Sequence, residues 1–587
     1  MRARNHFDKI SPWKTFLRTA MVCSLLGALL CGLAYRRIEP IPLNHDKLVF
    51  SSENSFGLMR HLAKNFPGRV TWSESRVQAG QWIKGELARL GYSPKSLFFS
   101  EVIAGKQYTN LENIYVEKKG TTHPNEIIAV IAHYDITDTT REGAMDDASG
   151  VGVVMELARV FAQVPTERTL LFLLTDSEEF GAFWGATAFV HNYEHADQIV
   201  AGINFDFIAP EKQTGILTLC DGLKTGYTPL WLREIALDSL RSLGSVKVHD
   251  MYGFMEFVER AMQIPPADHG PLLANGIPAF NWVGQTENFP YVMAHYHHTP
   301  YDVVEAMHPE SFQHFGAGAE RVIRTIDSLP KIPENFRDSS YLKLSPHYYL
   351  PGWAVTLLHI LAFIPFLTYS LTKFGKTFSA HSSKTLRKIL QKEAKVMGIL
   401  LGSLLLGYVV ILLLPALDII TQYEIFPATQ KSLLLYSPNF TAMFLVVASV
   451  LFVHWLFKKT FAEPHDADGY PEIRHALHAA FLAFIILLAF LKNSYLATLL
   501  LLPPAYFWMT LNARRHTKDR ILNGLLLFGG SVTFVAVAVV ISTIFHVGSF
   551  YWYLFLSAAY GLVSAYSVIL FFMALTVMIR LFKSFVL

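Results

Sequence analysis

Cysteine is almost missing from this chain: there are three in 587 residues, Cys23 and Cys31 in the first apolar run and Cys220 alone beyond it. That excludes a disulfide framework in the polar part of the chain, and any cysteine-based zinc site there. Charge is scarce too. Asp, Glu, Lys and Arg make up 17% of residues, against about 25% in ordinary soluble domains. The net charge is only +3, so nothing argues for a nucleic-acid partner. Residues 38–350 also lack any Asn-x-Ser/Thr acceptor. That leans toward a bacterial inner membrane with a periplasmic domain; the endoplasmic reticulum or vacuolar lumen is the setting if the source is eukaryotic.

What the chain has in excess is apolar sequence, 52% of residues, unevenly spread. Residues 38–350 are mixed and hold most of the acidic residues, whereas 351–587 is a series of long apolar runs. The first run, 19–35, follows Arg2, Arg4, Lys9, Lys14 and Arg18 and has no small-x-small cleavage site before Arg36-Arg37. It reads as an uncleaved anchor. At about 20 residues per helix, seven further spans are expected near 351–372, 396–417, 438–457, 476–491, 495–511, 521–545 and 552–579. Loops 373–395, 458–475, 512–520 and the tail after 579 hold seven, three, four and two Lys/Arg, and the opposite loops 418–437, 492–494 and 546–551 hold one, one and none. This bias predicts cytoplasmic termini and places 36–350 outside the cytoplasm. Tyr348, Tyr349 and Trp353, with Tyr551, Trp552 and Tyr553, fit an aromatic belt on the outer side. Gly398 and Gly402 suggest a helix-packing contact. His359, His454 and His478 read as interface or bundle-interior residues, since no intramembrane acidic cluster marks a proton path. The chain thus divides into a cytoplasmic N-terminus (1–18), an anchor (19–35), a linker (36–48), a soluble domain (49–330), a juxtamembrane segment (331–350) and an all-α multi-span domain (351–587). The whole is a multi-pass membrane protein with the bilayer as a partner, and an oligomer is compatible with it.

Within the soluble domain, helical patterns at 52–65 and 75–90 precede strand-type runs at 113–116, 126–132, 169–175, 199–205, 215–219 and 279–283. Amphipathic stretches at 149–162 and 181–191 fall between them. The alternation predicts an α/β domain with a mixed, partly parallel central sheet flanked by helices. In open sheets of this kind, sites gather beyond the carboxyl ends of strands. His133, the pair Glu178-Glu179 and Asp206 all fall there. Asp146 opens the string Asp146-Asp147-Ala148-Ser149-Gly150, and His298 opens His298-Thr299-Pro300-Tyr301-Asp302. Each piece alone is ordinary: a His-x-Asp pair, a solvated Glu-Glu helix start, a helix N-cap, a polar loop around His295, His297 and His298. The ordered set is not. Zinc takes imidazole and carboxylate ligands and keeps a place for water. His133, Asp146, Glu179, Asp206 and His298 make two three-ligand sites if one carboxylate is shared. Two ions about 3.5–4 Å apart act together on a water and a carbonyl. Glu178 is then left as a general base, and Asp135 as the acceptor of the second His133 N–H.

These strings, with Asn204-Phe205-Asp206, Asp268-His269-Gly270-Pro271 and Gly276-Ile277-Pro278-Ala279, resemble the co-catalytic di-zinc aminopeptidase family, whose relatives include glutamate carboxypeptidases and glutaminyl cyclases. The resemblance covers about residues 49–330. It implies two zinc ions per domain, with His133 and Asp206 on one, Glu179 and His298 on the other, and Asp146 bridging. It implies Glu178 as general base, Asp135 supporting His133 and Asp147 setting the turn at Asp146. His269 is then structural. The family often carries Tyr just before the last histidine as an oxyanion donor. Here that position is His297, with Tyr296 one earlier, so the donor is one of these, another group, or zinc alone. The layout of one anchor, the domain, then many spans resembles endoplasmic reticulum and vacuolar membrane metallopeptidases. The activity implied is release of N-terminal residues from peptides. The alternatives are a glutaminyl cyclase-like acyltransferase with one zinc, and a non-catalytic peptidase-like scaffold subunit. No Arg cluster near the motifs argues for an acidic substrate pocket. Residues 252–257 either line an apolar pocket or form an amphipathic helix packed on the sheet.

Overall fold

The computed structural model describes residues 11–103, 106–179, 183–211, 213–265, 267–286, 296–417, 419–420, 439–460, 470–511, 517–545 and 550–586. Phe180-Gly181, His295 and most of the loop 418–437 lie outside them.

Eleven strands occur among these residues: β1 (Arg36–Arg37), β2 (Lys95–Ile103), β3 (Lys106–Lys118), β4 (His123–His133), β5 (Arg168–Thr175), β6 (Ile199–Phe205), β7 (Gln213–Leu219), β8 (Lys247–Asp250), β9 (Ala279–Thr286), β10 (Tyr341–Ser345) and β11 (Tyr348–Pro351). Eight form the central sheet in the order β2-β3-β5-β4-β6-β9-β7-β8. The central four, β5, β4, β6 and β9, are parallel, so their carboxyl ends share one edge. β3 runs antiparallel to β5, and β7 antiparallel to β9. β2 and β8 were not expected from the sequence. They are edge strands, where one side needs no partner and the apolar signal is weak.

The continuous apolar runs of β4 and β5 are explained by burial on both faces. On β4, Ile128, Val130 and Ala132 face a core shared with helices Ser52–Asn65, Ser149–Phe161, Leu230–Arg241 and Pro309–Asp327. Ile127, Ala129 and Ile131 face a smaller core with helices Trp184–Asn192 and His269–Ala274. The result is a three-layer α/β sandwich whose open edge carries the strand ends.

A small sheet, β1-β11-β10, ties the domain to the helical part. β1 follows the helix Pro12–Ala34 directly, and β11 leads into the helix Gly352–Ala380. These two helices pack along each other, with Thr19 and Thr368 hydroxyls 3.1 Å apart. Among the described residues, six helices are long and apolar enough to cross a membrane: these two, Ser383–Leu413, Phe440–Thr460, Pro471–Lys492 and Ala565–Phe585. The helix Thr517–Phe545 lies over the expected 521–545 span. Two expected spans differ. Residues 552–579 are two helices, Phe550–Ala559 and Ala565–Phe585, separated at Gly561, whose φ of 73° ends the first. Residues 495–511 form a short broken helix ending at Trp508, where Pro503 and Pro504 interrupt the ladder. Its end still reaches the bundle interior: the Tyr369 hydroxyl donates to the Met509 carbonyl at 2.7 Å.

Buried charges cluster at one end of the bundle. Glu393 accepts from Arg580 at 2.9 Å and pairs with Arg474 at 3.1 Å and His478 at 3.3 Å. Arg474 and Arg580 come from segments the charge bias assigns to the same side as Glu393, and His478 lies at the adjoining end of its span. Residues 254–262 are a helix, Phe254–Met262. Its apolar face packs on the helical domain and not on the sheet: Val258 touches Leu499 and Leu500, and Phe257 stacks edge-on against Tyr495 and His359.

Candidate metal centre

The four parallel strand ends deliver the expected residues to one buried place. His133 is the last residue of β4, Glu178 and Glu179 follow β5, Asp206 follows β6, and His297 and His298 lie in the segment after β9. Asp146 comes from the turn before helix Ser149–Phe161.

Two donor groups form, and Asp146 belongs to both. His133, Asp146 and Asp206 offer atoms close enough to hold one cation, as do Asp146, His297 and His298. The His133 Nε2 lies 3.1 Å from Asp146 Oδ1 and 3.8 Å from Asp206 Oδ1. On the other side, His298 Nε2 lies 2.7 Å from Glu179 Oε2 and 3.4 Å from Asp146 Oδ2. Each Asp146 oxygen therefore faces a different histidine. Glu178 stands to one side, its Oε2 4.0 Å from His133 Nε2.

The turn that presents Asp146 is braced from three directions. The Asp302 carboxylate accepts the N–H groups of Met145 at 2.6 Å and Asp146 at 3.1 Å. The Arg69 guanidinium donates to the carbonyls of Tyr134 and Gly143, each at 2.7 Å, and to that of Glu142. Asp147 accepts the Gly150 N–H at 2.9 Å, which caps the following helix. Gly143 has φ 52°, and a Cβ there would lie 2.2 Å from the Ile136 side chain, so only glycine fits the turn. On the β5 side, Asp135 accepts the N–H groups of Glu178 at 3.1 Å and Glu179 at 3.4 Å while its Oδ1 lies 3.5 Å from His133 Nδ1. Thr71 donates to the same carboxylate at 3.3 Å.

Four carboxylates, Asp146, Glu178, Glu179 and Asp206, are buried here, and among the described residues none pairs with lysine or arginine. Burial pushes Glu178 well above the usual carboxylate range, with the Asp206 charge adding and His133 opposing. Burial likewise raises Glu179 to about 7 and Asp206 to about 6. Asp146 goes the other way: burial raises it, but the adjacent His133 and His298 outweigh that and hold it well below the usual range. His297 is lowered to about 3 by burial and then by the charge of His298. Asp146 Oδ2 is buried and accepts no hydrogen bond. Four buried carboxylates around three imidazoles, with an unbonded carboxylate oxygen between two of them, make the donor set a divalent cation satisfies.

The remaining expectations fall as follows. His297 stacks on His298 with ring centroids 3.6 Å apart and has its Nε2 3.5 Å from Asp146 Oδ2, so it sits inside the second donor group. Tyr296 is half-buried against the larger core. His269 is buried with neither ring nitrogen hydrogen-bonded, and burial lowers it to about 3. Arg69 and Thr71 were not foreseen. Both act from a distant segment and carry no local signal. Asp302 lay in a quoted string, without a role.

Parts of the chain are similar to known proteins. Residues 113–323 match peptidase family M28. A probable zinc metalloprotease of Pyrenophora tritici-repentis is 31% identical over 150 residues, 23% of this chain and 33% of its own length. Aminopeptidase YwaD of Bacillus subtilis is 27% identical over 246 residues, 41% of this chain and 50% of its own length. The matched segments thus span a third to a half of these relatives. The structure of BSAP, a zinc aminopeptidase from Bacillus subtilis, superposes with a TM-score of 0.40 at 15% identity, covering 47% of this chain and 95% of that one. The similarity to peptidase family M28 runs from the strand β3 to the helix Pro309–Asp327.

Proposed function

We propose that the chain is a membrane-bound, zinc-dependent exopeptidase of the aminopeptidase type, acting on peptides outside the cytoplasm. The observation that carries the proposal is the split carboxylate of Asp146, with one oxygen toward His133 and the other toward His298. It supports Asp146 serving both donor groups: His133 and Asp206 would hold one zinc, and His298 and Glu179 the other. Bound there, two zinc ions supply Lewis acidity toward a peptide carbonyl and an attacking water.

The chain's own residues do the rest. Glu178, beside the donor groups and pushed up by burial, takes the proton of the attacking water and returns it to the leaving amine. Asp135 is a positioning residue: it orients His133 and, through two backbone N–H groups, the Glu178-Glu179 turn. His297 or Tyr296 would contact the substrate or donate to the oxyanion. The domain stands outside the cytoplasm by the charge bias of the loops.

Purified full-length protein assayed on aminoacyl-p-nitroanilides tests this. Activity is expected, lost on chelation and restored by zinc, with two zinc ions per chain and neither group filled normally in Asp146→Asn. Turnover that persists after complete zinc removal sinks the mechanism. One zinc per chain with cyclisation of N-terminal glutamine supports the acyltransferase instead. No metal and no turnover, with a stable co-purifying partner, supports the scaffold.

A further inference from the structure

A cavity lined by no residue of the metal centre lies where the soluble domain meets the spans. It measures about 180 Å³ and is lined by Arg260, Tyr227, Gln263, Ser340, Ser494 and Thr356, among others. That is several times the ~30 Å³ share of one water. Its walls come from both halves of the molecule. Arg260 belongs to helix Phe254–Met262, Ser340 to the juxtamembrane segment, Thr356 to the first turns of the span Gly352–Ala380, and Ser494 to the turn after Pro471–Lys492. The halves meet closely here. A Cβ on Gly352 would lie 2.2 Å from the Ser340 carbonyl oxygen. The Asn493 amide donates to the Arg260 carbonyl at 2.9 Å and to the Gln263 side chain at 3.3 Å.

Arg260 is only 5% exposed. Its guanidinium lies 3.6 Å from the Tyr227 ring centroid and 4.6 Å from that of Tyr341. Its Nε donates to Glu256 at 2.7 Å and its Nη1 to the Ser339 carbonyl at 3.0 Å. Nη2 is buried and has no hydrogen-bond partner. Glu256 does not belong to Arg260 alone, because its other oxygen accepts from Arg233 at 2.9 Å. A buried guanidinium nitrogen without an acceptor is destabilising unless something accepts from it.

More positive potential converges on the same place. The span Gly352–Ala380 starts here after Pro351, with no side-chain cap on its first-turn N–H groups. Two exposed lysines flank Gln263. Lys224 donates its backbone N–H to the Gln263 carbonyl at 3.0 Å, and Lys492 precedes Asn493. Among the described residues neither lysine is ion-paired. They are near enough that, after partial burial, the charge of Lys492 also lowers the Lys224 ammonium.

We propose that this cavity binds a phosphate-type oxyanion, with the Arg260 Nη2 and the Ser494 and Thr356 hydroxyls as donors and the neighbouring Lys224 and Lys492 adding positive charge. Its place at the ends of the spans suits the phosphodiester of an anionic lipid, and free phosphate has the same chemistry. Such a ligand would clamp the soluble domain to the spans, independently of the peptidase chemistry.

The test uses full-length protein in an uncharged detergent. Thermal unfolding is followed against inorganic phosphate, with chloride at matched ionic strength as control. A saturable rise with phosphate is expected, weakened about tenfold or more in Arg260→Lys, which keeps the charge but loses the fork, and in the double variant Lys224→Ala, Lys492→Ala. The double variant alters only exposed side chains, so it decides the matter if Arg260→Lys does not fold. Native mass spectrometry from vesicles of phosphatidylcholine with added phosphatidylglycerol separates the sources. Retained phosphatidylglycerol that phosphate displaces supports the lipid headgroup, and phosphate binding with no retained lipid supports the free anion. If neither probe binds, or binding is unchanged in the variants, the site is overturned.

Discussion

Asp302 touches no substrate and is not among the proposed ligands, yet the geometry makes it a strong point of attack on the metal centre. Its carboxylate is fully buried and accepts two backbone N–H groups, Met145 at 2.6 Å and Asp146 at 3.1 Å. Asp302→Ala strands both donors. A hydrogen bond contributes about 0.5–1.5 kcal/mol to a neutral acceptor and up to about 3 kcal/mol to a charged one, and burial pushes Asp302 up to about 8, so two intact bonds set a ceiling between about 1 and 6 kcal/mol, highest where Asp302 is ionised. The turn can relax, and relaxing recovers part of that loss at the expense of where Asp146 points. The perturbation should therefore divide between faster thermal inactivation and weaker metal binding, the latter by about 10–100-fold as for other residues that orient a ligand. Asp302→Asn keeps one acceptor oxygen and turns an NH₂ toward the other N–H, so it should fall between wild type and Asp302→Ala. Competition with a chromophoric zinc chelator measures the affinity. Inactivation half-life is the better stability readout, since a multi-span protein need not unfold in two states. If Asp302→Ala holds zinc as tightly as wild type and inactivates at the same rate, the bracing of the Asp146 turn is not what this geometry implies.

Other expectations are narrower. Glu178→Gln should lower kcat by about 10²–10⁴-fold with metal content unchanged; loss of zinc in that variant would make Glu178 a ligand and not the base. Gly316→Ala would put a Cβ 2.0 Å from the Phe50 ring, and overpacking of this kind costs about 1–3 kcal/mol, read as faster inactivation with unaltered zinc affinity. Asn493→Ala removes the amide that joins the span turn to the Arg260 and Ala261 carbonyls. It should speed proteolysis between the domain and the spans while leaving zinc content alone, and an unchanged cleavage rate would argue against that joint. A reporter fused after the C-terminus should report a cytoplasmic location, and an external signal there would reverse the orientation assigned to the whole chain.

Much of this was legible from residue order. Unbroken apolar runs at 126–132 and 169–175 foretold strands buried on both faces, since a strand with one wet face would alternate. The motif strings foretold which residues meet, because the carboxyl ends of parallel strands lie at one edge whatever the loops between them do. The weak points share a cause. The edge strands β2 and β8 are half-partnered, so their apolar signal is thin. The helix Phe254–Met262 shows an apolar face in sequence, but no periodicity says whether a sheet or a span covers it. The break at Gly561 sits within an apolar stretch that hydropathy alone joins into one span.

By itself, the sequence determined the α/β sandwich, the apolar spans and the set of ionisable residues gathered at the strand ends, because burial periodicity and chain order are written residue by residue. Only the tertiary structure decided that the two oxygens of Asp146 face opposite histidines, that Arg69 and Asp302 brace its turn, and that Arg260 is left with an unsatisfied nitrogen between the domain and the spans. Those are hydrogen-bond relations between segments up to 157 residues apart, and the partner of a buried polar group is chosen by packing in space, for which the chain carries no local period.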